Sequence, residues 1–113
     1  MGHKRQFDLN KRLIKYCIQT NEVCESLDHS KLGRHISGQL VRSCSSPALN
    51  YGEACAAESL NDFIHKLRII LKELRESGSA LEIVIEKPLT KKTELAKNAF
   101  KETNELISIF ASS

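Results

Sequence analysis

The chain has 113 residues, enough for one domain with one hydrophobic core. No apolar run approaches the ~18 residues of a membrane span, and the polar start MGHKRQFD has no apolar signal core, so a cytoplasmic protein is expected. Seventeen Lys and Arg against 14 Asp and Glu leave a net charge of +3. The excess is N-terminal, because residues 1–50 hold eight Lys and Arg against four Asp and Glu.

Cys17, Cys24, Cys44 and Cys55 form no CxxC pair and share no zinc-type spacing with histidine. All four lie in helical patterns, which predicts small buried thiols.

The first helix is predicted over about 8–27. Asp8 is placed as N-cap with Phe7 as a hydrophobic staple before it. Leu9, Leu13, Tyr16, Thr20, Val23 and Leu27 alternate at spacings of four and three, a seam interrupted only by Thr20. Ile14, Cys17 and Cys24 widen it. A short link over Asp28–Gly33 predicts an antiparallel neighbour.

The second helix is predicted over about 32–57, with Ile36, Leu40, Val41, Cys44, Ala48, Tyr51 and Cys55 inward. Pro47 falls inside it. An interior proline removes a hydrogen bond and bends a helix, so a kink is expected. Ser43, Ser45 and Ser46 are available to the carbonyls that Pro47 leaves open.

Ser59 or the residue beside it is expected to cap a third helix over about 60–86. Its seam of Leu60, Phe63/Ile64, Leu67, Ile70/Leu71, Leu74, Leu81 and Val84/Ile85 breaks only at Ser77 and Gly78. Small residues there would let a neighbouring helix come close. Lys87 and Pro88 end it. Thr90 is expected to cap a fourth helix over about 90–110, with Leu95, Ala96, Ala99, Phe100, Thr103, Leu106, Ile107 and Phe110 inward. No stretch alternates like a strand. The pattern predicts an all-α, up-down-up-down antiparallel four-helix bundle with a Pro-kinked second helix.

On the third helix, Ile69, Ala80 and Ile83 lie about 200°, 220° and 160° round from Leu67. That predicts a second apolar face, pointing away from the core and covered by another copy of the chain.

The stretch QLVRSCSSPALNYGEA, with DFIHKLRIILKELRES after it, resembles the bacterial four-helix-bundle proteins called 23S rRNA intervening-sequence proteins. Phe7 and Leu9, the Asn50-x-x-Glu53-Ala54 element and the run Asp62–Glu73 carry the likeness. It spans the whole bundle, the last helix in pattern alone. The resemblance implies a cytoplasmic homo-oligomer, usually a ring of five, with no established enzymatic activity. The chain is also similar to the accessory variability proteins of diversity-generating retroelements, basic pentamers that bind nucleic acid and a reverse transcriptase.

The residues themselves point away from catalysis. A diiron bundle needs Glu-x-x-His on two helices, and the nearest match, Asp62-x-x-His65, occurs once with both side chains predicted outward. His29 and His35 flank the first link as solvated residues. No base is spaced to activate a serine or cysteine, and there is no Gly-rich phosphate loop. Neither a cofactor nor a metal is expected. Glu73 and Glu76, alternating with Lys72 and Arg75, read as a salt-bridged exposed face. Asn50 and Glu53, one turn apart, read either as a ligand-facing polar pair or as a hydrogen-bond network with Arg42 or a partner helix that anchors the kinked segment or a subunit interface.

Two basic patches remain. Lys4, Arg5, Lys11, Arg12 and Lys15 gather at the start of the first helix, and Lys87, Lys91 and Lys92 at the last link, at the opposite end of the bundle. Repeated in an oligomer, they favour phosphate contacts to RNA or DNA. Without tryptophan, binding should be backbone-directed and sequence-tolerant. The leading expectation is a non-enzymatic homo-oligomer binding structured RNA. The alternative is a protein-interaction scaffold with no nucleic-acid role.

Overall fold

In the computed structural model, residues 3–112 are described, with side chains from residue 8 onward. Four helices account for the fold: α1 (His3–Ser26), α2 (Lys31–Cys55), α3 (Leu60–Glu86) and α4 (Thr93–Ala111). They pack as an all-α bundle 44 Å long, with α1 and α3 each lying between α2 and α4. Partner residues run in opposite order on neighbouring helices. Arg12 meets Glu102 while Ser26 meets Thr90, and Arg42 meets Glu73 while Glu53 meets Lys66.

Each helix buries the stripe that its heptad seam marks, and the seams build two apolar clusters. One contains Val23, Leu27, Ile36, Leu40, Leu81, Val84 and Ala96. The other contains Leu13, Tyr16, Cys44, Ile70, Leu74 and Leu106, closed at its end by an edge-on contact between Tyr51 and Phe110. Between them the four helices each contribute one fully buried serine or threonine: Thr20, Ser43, Ser77 and Thr103. The residues that interrupt the seams therefore meet in one polar layer.

That layer is hydrogen-bonded in two pairs. Thr103 Oγ1 donates to the Ala99 carbonyl at 2.7 Å. Its one proton is thereby used, so Tyr16 O–H donates to Thr103 at 2.6 Å. Ser77 donates to Ser43 at 2.8 Å. Burial pushes the Tyr16 phenol up, against smaller opposite effects from Thr103, Ser77 and Thr20. Thr20 Oγ1 has no hydrogen-bond partner.

Several expectations change. Asp8 does not cap α1, because the helix already runs from His3; Phe7's side chain lies outside the described residues. Thr90 does not cap α4, which starts at Thr93. Thr90 instead accepts from the Lys92 N–H at 3.0 Å and shares a 2.6 Å hydrogen bond with Ser26. Ile14, Val41 and Leu60 are exposed, and so is Cys55, while Cys17 is half-buried. Each helix in a square of four touches two neighbours, and the buried stripe is correspondingly narrow. Ser59 does cap α3, accepting from the Asp62 N–H. α2 is continuous through buried Pro47. Ser45 Oγ donates to the Val41 and Arg42 carbonyls rather than to that of Ser43, the one that Pro47 leaves open.

The α1–α2 and α3–α4 links are stitched together at one end. Asp28 N–H donates to the Leu89 carbonyl at 2.9 Å, and Leu27 forms an antiparallel bridge with Thr90. Ser30 caps α2 by accepting from the Gly33 N–H. At Gly33 the helix passes so close to Asp28 that a Cβ would collide with its carbonyl oxygen and lie 2.6 Å from its Oδ1. Gly78 differs: a Cβ there would sit 3.5 Å from Thr103 Cγ2, an ordinary contact.

Two predictions follow from this packing. Thr103→Val removes the 2.6 Å acceptor of the buried Tyr16 hydroxyl and should cost about 1–3 kcal/mol, whereas Tyr16→Phe removes one bond and should cost about 0.5–1.5 kcal/mol. Urea unfolding of both variants and of the double variant measures this, and equal losses would contradict the assigned donor. In the same assay Gly78→Ala should stabilise by up to about 1 kcal/mol through helix propensity, while Gly33→Ala should destabilise.

Candidate nucleic-acid interface

The basic residues divide by environment. Lys4 and Arg5 have side chains outside the described residues. Lys11 and Lys15 are exposed on α1. Arg12 points towards α4, where its guanidinium forks onto Glu102 (2.8 Å through Nε and 2.8 Å through Nη2) and also reaches Glu105 at 3.0 Å. The Glu102 hydrogen bond holds Arg12 above its ordinary value, and Arg12 in turn holds the Glu102 carboxyl below the ordinary Glu range. Two carboxylates thus occupy the guanidinium that the sequence reading assigned to phosphate.

Lys87, Lys91 and Lys92 are exposed at the other end. Lys87 is the C-cap of α3, and Lys92 is the N-cap of α4. Lys92 supplies no capping side chain, so the first amides of α4 keep their capacity for an acceptor. Glu94 lies in the first turn. Ser26, Asp28 and residues 88–92 line a depression of about 490 Å³ beside these lysines. Asp28 is held below the ordinary carboxylate range, first by the Ser30 hydroxyl and more weakly by Lys87.

Arg42, Asn50 and Glu53 do not form one network. Arg42 bonds Glu73 at 2.9 Å, Gln39 at 3.2 Å, and Glu76. Asn50 donates to the carbonyl and hydroxyl of Ser46, and Glu53 accepts from Lys66 at 2.8 Å. Successive turns of α2 hand each of these side chains to a different neighbour. Glu73 is buried and finds its cation across the helix pair, not along an exposed face of α3.

The expected oligomer face on α3 is also reduced. Ala80 is buried in the core cluster, because its side of α3 turns towards α2. Ile69 is half-buried, and Ile83 is 40% exposed. Leu60, at the start of α3, is 70% exposed, and the other larger exposed apolar side chains lie on α1 and α2: Ile14, Ile18, Val41 and Leu49, the last 67% exposed. The sequence carried a signal for them. Ile14 and Ile18 are one turn apart, and the α2 face from Gly38 to Gly52 is free of charge at Val41, Ser45, Ala48 and Leu49.

Asp62, His65, His29 and His35 are all exposed. Among the described residues no group of three metal-ligating side chains gathers, and no helix is long and apolar enough to cross a membrane.

The fold thus defines a four-helix bundle. It is similar to a solved protein of unknown function from the S23 ribosomal protein family of Bacteroides thetaiotaomicron. The TM-score is 0.81 at 26% identity, covering 91% of this chain and 94% of that one. This likeness is consistent with the intervening-sequence protein family that the central stretch resembles. No protein-family model and no curated protein matches the chain.

The Arg12–Glu102 pair yields a pH prediction. A depressed carboxyl contributes stability above its unfolded value, near 4.5, and that contribution is lost as pH falls through the lower folded value. Arg12→Ala should cost about 0.2–1 kcal/mol at pH 7, with the difference from wild type shrinking as acidification takes the pH below 4.5 and through the lowered Glu102 value. Thermal melts across pH 3–7 test it; a gap that persists at pH 3 would show that packing, not charge, carries the effect.

Proposed function

We propose that this chain is a non-enzymatic, self-associating helical bundle that binds nucleic acid, structured RNA foremost, through phosphate contacts. The observation that carries this reading is the exposed trio Lys87, Lys91 and Lys92 beside the side-chain-uncapped start of α4. Positive side chains and helix amides together suit a phosphate oxygen. The similar solved protein is described as one of a ribosomal protein family, which supports RNA over a purely proteinaceous partner. Lys11 and Lys15 add positive charge at the far end, reduced locally by the carboxylates that hold Arg12.

A second reading, a protein-interaction scaffold, is favoured by the exposed apolar side chains of α1 and α2. The two readings separate in one titration. Fluorescence anisotropy of a labelled RNA hairpin, repeated at several salt concentrations, should show binding that weakens log-linearly with salt. Lys87→Glu with Lys91→Glu and Lys92→Glu should reduce the salt slope by about 3. Arg12→Ala should change it little. No binding at about 0.15 M salt, where the Debye length is about 8 Å, would leave the scaffold reading.

A further inference from the structure

The depression of about 490 Å³ beside the α3–α4 link has two chemically different parts. Its rim carries the ammonium groups of Lys91 and Lys92, both exposed. Its floor is the stretch from Pro88 to Thr90 together with Ser26. The hydroxyls and the Leu89 peptide groups of that floor already have partners. Leu89 N–H donates to the Val84 carbonyl at 2.9 Å, and the Leu89 carbonyl accepts from Asp28 N–H at 2.9 Å. Ser26 Oγ donates to the Val23 carbonyl at 2.7 Å. With that proton used, Thr90 O–H donates to Ser26 at 2.6 Å. The Thr90 oxygen in turn accepts from Lys92 N–H at 3.0 Å. Pro88 has no N–H to offer.

Such a floor rejects a phosphate. An anion seated there would lose its water without gaining a hydroxyl donor, and Asp28, which also lines the depression, carries like charge. The rim suits a phosphate, because each lysine presents a point charge on a flexible stem. The floor instead favours an uncharged, mostly carbon surface laid against the exposed Pro88 ring and the lysine methylenes. The volume falls within the roughly 300–1,000 Å³ of pockets that take one small molecule. An unpaired nucleotide combines the two requirements, with phosphates on one side and a flat neutral base on the other. Inside a duplex the faces of the bases are covered by their neighbours.

We propose that this depression seats one unpaired nucleotide of an RNA, with its base flat on Pro88 and its phosphates at Lys91 and Lys92. The inference rests on the phosphate-binding part of the proposed function and names the RNA feature that is recognised. Because the floor hydroxyls are already bonded, the edge of the base is not read. Selection is for an unstacked base over a stacked one, whatever its sequence.

Fluorescence anisotropy with three labelled RNAs tests it: a perfect duplex, the same duplex with one bulged adenosine, and the same duplex with an abasic residue at the bulge. The abasic residue keeps the sugar and phosphate and removes the base. The adenosine bulge should bind about fivefold tighter than the abasic bulge, the gain from covering roughly 40 Å² of carbon. Pro88→Ala should remove most of that gain and leave binding of the perfect duplex unchanged, whereas Lys91→Ala with Lys92→Ala should weaken all three RNAs. Circular dichroism melts establish that each variant is folded, and the adenosine-against-abasic comparison on the wild-type chain needs no variant. Equal binding of the two bulges, or a gain undiminished by Pro88→Ala, overturns the seat and leaves phosphate binding standing. No binding of any of the three at about 0.15 M salt, where the Debye length is about 8 Å, overturns the seat and the phosphate reading together.

Discussion

Register in this bundle depends on the buried hydroxyl layer. Apolar contacts are non-directional, and a heptad seam slides along its neighbour by one turn at modest cost. Hydroxyls do not slide in the same way. Displacing α4 by a turn would take Thr103 from Tyr16 and leave buried polar groups unpaired among Leu and Val, at about 1–3 kcal/mol for each. The pairs Tyr16–Thr103 and Ser77–Ser43 therefore set how α1 meets α4 and how α3 meets α2. Outside each pair, within a turn or so of it, sits an ion pair: Arg12 on Glu102, and Arg42 on Glu73. Both seams are fastened inside by hydroxyls and outside by charge.

The α1–α2 seam is built differently. It carries the Cys17, Cys24 and Cys44 thiols and the Ser37 hydroxyl. Desolvation pushes the Cys17 thiol up, and the hydrogen bond with Cys24 pushes the Cys44 thiol up, keeping both protonated. No ion pair is described across it, so this seam is fastened by thiols, a hydroxyl and apolar contact. Its apolar exposure follows from the same choice of residues that fastens it without charge.

Much of this architecture was legible in the sequence, because heptad spacing reports directly on which stripe of a helix is buried. Even the interruptions carried information. Thr20, Ser77 and Gly78 looked like defects taken singly, and only the register of four helices reveals Thr20, Ser43, Ser77 and Thr103 as one layer. What could not be read was the identity of neighbours. A helical wheel gives an angle from the core but not which helix stands there, so Ala80 was placed outward although α2 covers it, and Arg42, Asn50 and Glu53 were grouped although each reaches a different partner. The caps at Asp8 and Thr90 failed for a local reason. A capping side chain serves a helix only where the chain turns, and Thr90 spends its hydroxyl on the link between two turns. The basic cluster of α1 was legible as composition, while Glu102 and Glu105, some ninety residues away, removed Arg12 from it.

These placements separate the two properties proposed for the molecule. A bundle 44 Å long and about 20 Å across has long sides and small ends. The α1–α2 face is a side, a kind of surface large enough to bury a specific contact between copies. Lys87, Lys91 and Lys92 are at an end, where two links meet. The proposed self-association, if through a side, would leave the link lysines exposed and raise their number per particle. Positive charge that is modest in one chain would then be gathered in an assembly, where a polyanion such as RNA could reach more than one site and gain avidity without any stronger single contact.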